Sequence, residues 1–137
     1  MNSIIKSLMN YALENGITCI AESRIPSDFP CFFTIKGNVK KIMINLNWRN
    51  QRQLPYIIAH EISHALTCDE TDFCLYQKNM WKLKYEFKAN SGAVKLLIPF
   101  YKDELDELEQ VNVYRFMNEF EIPNTMYDVC VSNLKTI

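Results

Sequence analysis

The sequence predicts an α+β domain: a helical bundle whose motif-bearing helix packs on a small antiparallel sheet of about three strands. Three observations predict it. The first fourteen residues place apolar side chains at helical spacing. The short β-prone runs CFFTI and KKIMINL flank Lys36-Gly37-Asn38, and from Asn50 onward the apolar residues return to helical spacing. At 137 residues the chain fits one domain, 1–137, with room for a buried core but not for a separate DNA-binding or sensor domain.

The elements follow in order. Ile4, Ile5, Leu8, Met9 and Leu13 mark a first amphipathic helix over 2–14, and Asn15-Gly16 is its stop signal. Ile17 to Ala21 is short and β-prone, ESRIPSDFP is rich in turn residues, and CFFTI and KKIMINL read as two strands. Leu54, Ile57, Ile58, Ile62, Ala65 and Leu66 define a helix within 50–67, with Pro55 in its first turn, where a missing N–H costs nothing. After the acidic connection CDETDFCLYQ, a helix over 79–97 runs through Trp81, Leu83, Phe87, Val94 and Leu97 until Pro99 ends it. Gly92 weakens that helix, which suits a close approach of a neighbouring element. KDELDELEQ reads as a polar acidic helix, and VNVYRFMNEFEI and NTMYDVCVSNLK complete a helical C-terminal third.

Composition narrows the function. Fifteen Lys plus Arg against sixteen Asp plus Glu leave a net charge of -1, so no global basic field draws in nucleic acid, and direct nucleic-acid binding is disfavoured. The N-terminal stretch is broken by Lys6, Ser7 and Asn10, unlike a signal peptide, and no run of about 18 apolar residues offers a membrane span. Cys19, Cys31, Cys68, Cys74 and Cys130 are odd in number and scattered, which fits reduced thiols and a cytoplasmic location.

The chemistry concentrates in IIAHEISHALT, residues 57–67, which holds both histidines of the chain. A step of four residues turns an α-helix by about 400°, so His60 and His64 project from one face and can grip one ion. Zinc suits imidazole nitrogen, and a catalytic zinc site keeps three protein ligands and one open position. Glu61 sits about 100° round the helix, placed to act on water at that position as a general base. An exposed His/Glu/His face would be an ordinary solvated stripe. Here Ile57, Ile58, Ala59, Ile62, Ala65 and Leu66 surround the trio, and polar groups in a buried helix need partners.

A third ligand must be a carboxylate or thiol. Cys68, Asp69, Glu70 and Asp72 follow at once, where reaching back would demand a tight reversal. Glu86 can be presented by a second helix packed beside the first; the ordinary alternative is a surface glutamate. Asn90, one turn further, could hydrogen-bond a ligand from behind, or simply be a polar residue at a helix contact. Cys68 and Cys74 are the thiols nearest to consideration as ligands.

AHEISHAL at 59–66 followed by EFKANSGAVKLLIP at 86–99 resembles the ImmA/IrrE family of metallopeptidases, as does the C-terminal FEIPNTMYDVCVSNLK. The resemblance covers roughly 40–135. It implies a zincin-like fold, zinc held by His60, His64 and Glu86, and Glu61 as catalytic base. It also implies a substrate class: a helix-turn-helix transcriptional repressor, cleaved to relieve repression in a phage or mobile element. Ser63 departs from the family habit, which is Gly before the second histidine. A tyrosine could help hold the oxyanion, and Tyr56, Tyr76, Tyr85 and Tyr101 are available, each with packing as its ordinary role. The alternative to an enzyme is a non-catalytic anti-repressor or toxin–antitoxin module that sequesters a DNA-binding regulator and keeps its metal for folding. An intact Glu61 favours the enzyme, because a structural zinc needs no base.

Overall fold

A computed structural model of the chain describes residues 2–67, 79–106 and 110–135, with the side chains of 79–81 excepted. Helix α1 spans Ser3–Glu14, where Asn2 Oδ1 accepts the Ile4 N–H at 2.7 Å and satisfies one free donor of the first turn. Ile5, Leu8 and Ala12 form its buried stripe. Gly16 follows at φ +77°, a left-handed conformation that costs glycine nothing and turns the chain into the sheet.

Strands β1 (Ile17–Glu22), β2 (Phe32–Lys36) and β3 (Val39–Asn45) form one three-stranded sheet in the order β1-β3-β2. The hairpin β2–β3 is antiparallel, with a positive φ at Gly37. The antiparallel sheet expected from sequence is corrected here to a mixed one, since β1 runs parallel to β3, from Ile17 opposite Lys40 to Glu22 opposite Asn45. The cause is the connection 23–31, which crosses the end of β3 and places β2 on its far side. Asn45, fully buried, holds that crossing: its Nδ2 donates to the carbonyls of Pro26 and Phe29, both at 2.8 Å, and its Oδ1 accepts from Asn47 N at 2.9 Å. Arg49 N donates to Ser27 O at 3.0 Å and closes the loop.

Helix α2, Leu54–Thr67, packs against β2 and β3 on one side and the long helix α3, Asn79–Asp103, on another. Pro55 lies in the first turn of α2, as expected. Lys40 Nζ on β3 donates to Ala65 O near the α2 C-terminus, tying the sheet to the motif helix with a charge of the favourable sign.

Two expectations about α3 are corrected. Pro99 does not end it; the helix continues to Asp103. Proline removes one N–H bond, to the Lys95 carbonyl, but Ile98 and Tyr101 are buried on either side of it, and the Tyr101 hydroxyl accepts the Asn112 N–H at 3.0 Å. Burial and that anchor carry the helix past the proline. Over the described residues 104–106, KDELDELEQ does not continue as a helix: Glu104 and Leu105 turn through bonds to Tyr101 O and Lys102 O, and residues 107–109 lie outside the described residues. Asp103, Glu104 and Asp106 would repel one another at the negative end of the helix dipole.

The C-terminal third comprises α4 (Val113–Glu119), a 3₁₀ turn (Asn124–Met126) and α5 (Tyr127–Lys135). Asn112 Oδ1 caps α4 by accepting from Tyr114 N and Arg115 N. Gln53 Nε2 donates to Glu121 O at 2.9 Å, fastening this unit to the approach of α2. Among the described residues, no helix is long and apolar enough to cross a membrane.

Candidate metal centre

Nine residues of α2 are buried, from Leu54 to Ala65, because sheet and helices cover it on several sides. His60 and His64 lie one turn apart on it, with ring centroids 4.7 Å apart and planes inclined at 76°. Helix α3 runs antiparallel to α2 and brings Glu86 to both rings. Its Oε2 lies 3.1 Å from His60 Nε2 and its Oε1 3.3 Å from His64 Nε2.

These contacts can be tested against a metal. Ligands at about 2.1 Å from a tetrahedral ion stand about 3.4 Å from one another. The nitrogen–oxygen separations approach that value, and one ligand atom from each of the three residues lies within 4.8 Å of the others. The three residues are therefore close enough to hold a metal ion. The His64 side chain is 3% exposed, whereas those of His60 and Glu86 are 16% and 29% exposed. His64 is thus the most deeply buried of the three and Glu86 the most exposed.

The surroundings orient the ligands. Asn90, one turn beyond Glu86, places Oδ1 2.7 Å from His60 Nδ1 and 2.8 Å from the Tyr56 hydroxyl. A carbonyl oxygen only accepts, so Tyr56 donates its O–H and His60 its Nδ1–H. His60 Nε2 is left to face Glu86 with its lone pair when the ring is neutral. Such support behind a ligand fixes its tautomer and ring angle. His64 is held differently: Phe33 of β2 stacks on it at 5.4 Å and 14°.

The electrostatics suit proton handling. Burial pushes the Glu61 carboxyl up to about 7; His60 pulls it down and Glu86 pushes it up further. Burial lowers His60, but its Glu86 hydrogen bond, the charges of Glu61 and Glu86, and the Asn90 contact outweigh this and raise it above the usual histidine value. Metal loading would therefore displace a proton from His60 and pull Glu61 back down.

The close approach expected at Gly92 is present, and its partner is Ser63. A Cβ added at Gly92 would fall 2.3 Å from Ser63 Oγ and 2.8 Å from Ser63 Cβ. The serine before the second histidine is thus accommodated by the missing side chain across the helix interface.

Of the tyrosines, Tyr56 is committed to Asn90 and Tyr101 to Asn112, while Tyr85 packs against the core. Tyr76, Cys68, Asp69, Glu70, Asp72 and Cys74 lie outside the described residues. Cys19, Cys31 and Cys130 are free thiols, and burial pushes Cys19 and Cys130 up to about 11, far from thiolate chemistry at neutral pH. Sequence reasoning did not find Phe33 or the support role of Tyr56. The alternation of FFTIK pairs Phe33 with Ile35 on one face, but nothing in the pattern says that α2 covers that face. Compared with protein-family models, curated proteins and solved structures, the chain gives no match.

Proposed function

We propose that this chain is a zinc-dependent endopeptidase, of the kind its motifs resemble, acting on a helix-turn-helix repressor in the cytoplasm. The observation that carries the reading is the convergence of His60 Nε2, His64 Nε2 and the Glu86 carboxylate within reach of one ion, with Glu61 next to His60 on the same helix. Two histidines and one glutamate are an established donor set for catalytic zinc.

His60, His64 and Glu86 would hold the ion. When bound, it supplies Lewis acidity, polarising a peptide carbonyl and making water easier to deprotonate near neutral pH. Glu61 takes the proton of the attacking water and delivers it to the departing amine. Asn90 and Tyr56 keep the His60 ring from rotating, so the ligand does not have to be reordered as the substrate enters. The hydrophobic walls of α2 and Phe33 limit water on the His64 side.

The test begins with the adjoining reading frame: if it encodes a helix-turn-helix repressor, that repressor is incubated with zinc and either the wild type or a Glu61→Gln variant. The proposal expects a single cut by the wild type, and loss of that cut in the variant with repressor binding retained. Derepression by Glu61→Gln at the wild-type level would instead support the sequestering module.

A further inference from the structure

The near-zero net charge conceals a polarised helix. Helix α3 carries Lys82, Lys84, Lys88, Lys95 and Lys102, five of the chain's fifteen basic residues, against two of its sixteen acidic ones, Glu86 and Asp103. Lys84, Lys88, Lys95 and Lys102 succeed one another by four, seven and seven residues. At 100° per residue they stay within about 40° of one line, which extends about 27 Å along the helix. Lys84, Lys88 and Lys95 are exposed and Lys102 is half-buried. Glu86 stands about 200° round the helix from Lys84 and faces the histidines of α2, so it does not interrupt the row.

Beside Lys95 the row meets a cleft of about 220 Å³ between α1 and α3, lined by Leu8, Tyr11, Lys95, Leu96, Pro99 and Phe100. Apart from the lysine head and the tyrosine hydroxyl, this lining is apolar. Pro99 also has no N–H to offer the Lys95 carbonyl, which leaves an acceptor of the helix backbone at the cleft without its usual helical donor.

We infer that this outer face of α3 docks an acidic segment of a protein partner, with its carboxylates at Lys88 and Lys95 and one bulky apolar side chain in the cleft. Charge complementarity selects the acidic segment. The cleft selects a polypeptide over a nucleic acid, because a phosphodiester backbone has no aliphatic side chain to fill it. The row also lacks the arginines that grip phosphate bidentately, whereas lysine serves as a point charge for scattered carboxylates. The surface lies on the side of α3 away from the candidate metal centre, so docking there leaves that centre open, and the inference stands whether or not the chain is a peptidase.

The experiment pans a random-peptide display library against the full chain and against a Lys88→Glu/Lys95→Glu variant, with thermal denaturation of both to show that the variant folds. The expected result is a set of peptides rich in Asp and Glu with one bulky apolar residue. They should bind the wild type about tenfold or more tighter than the variant and weaken as salt rises. Replacing their apolar residue with Ser should weaken binding several-fold. Three results would each overturn the inference: recovered peptides without acidic enrichment, binding indifferent to the two substitutions, or a random-sequence DNA duplex that binds tighter than any recovered peptide through the same lysines.

Discussion

Replacing Gly92 with alanine puts a methyl group 2.8 Å from Ser63 Cβ and 2.3 Å from Ser63 Oγ. The hydroxyl can rotate away, but the Cβ is fixed to α2. Carbon atoms rest at about 3.5 Å or more, so α2 and α3 must separate locally by about 0.7 Å. Overpacking of this size costs about 1–3 kcal/mol, and the better helix propensity of alanine returns about 1 kcal/mol. A net loss of up to about 2 kcal/mol follows, or up to roughly 7 °C in Tm for a chain of this size. The same separation draws Glu86 away from the two histidines, so zinc affinity should fall with stability. Adding Ser63→Gly removes both clashing atoms and leaves Ser63 Cα at 4.0 Å, an ordinary contact. The propensity changes at the two positions then largely cancel. The double variant should therefore return to within about 0.5 kcal/mol of wild type, with a coupling energy equal to the overpacking cost, about 1–3 kcal/mol. Thermal and urea denaturation of the four proteins measures this cycle. Additive effects across the cycle would refute the close contact.

Asn90→Ala removes the acceptor shared by His60 and Tyr56; zinc affinity, measured by competition with a chelating dye, should fall about 10–100-fold. The metal-free protein should lose stability as pH rises. Glu61 is raised from 4.5 to about 7, so the folded state holds a proton that the unfolded state releases between those values. His60, also raised, adds stability below its unfolded pKa that is lost as pH climbs through its folded one. Glu61→Gln should flatten much of that slope in a pH series of denaturation curves, leaving the part due to His60; an unchanged slope would contradict the buried, proton-retaining Glu61.

Much of the candidate site was legible in the sequence because it depends on local geometry. A four-residue step on a helix decides that His60 and His64 share a face, whatever surrounds them. Glu86 was reachable as the carboxylate of a second packed helix, but its spacing alone also fitted a surface glutamate. Gly92 was legible as a weak point that wanted a close neighbour; that the neighbour is Ser63 depends on how two helices dock. The direction of β1 was not legible, because strands alternate with period two whether parallel or antiparallel. It is set by the tertiary bonds of Asn45 to the loop 23–31. Pro99 misled for a similar reason. A local rule said stop, and the burial of Ile98 and Tyr101 outweighed one lost hydrogen bond.

The central claim is that His60, His64 and Glu86 hold a zinc ion and that Glu61 beside them does not. Calorimetric titration of metal-free wild type, Glu86→Gln and Glu61→Gln with zinc tests it directly. One zinc per chain is expected in the wild type, with an affinity lowered by about tenfold or more in Glu86→Gln and nearly unchanged in Glu61→Gln. Absence of stoichiometric zinc in the wild type, or a Glu61→Gln protein that loses the metal while Glu86→Gln retains it, would contradict the assignment.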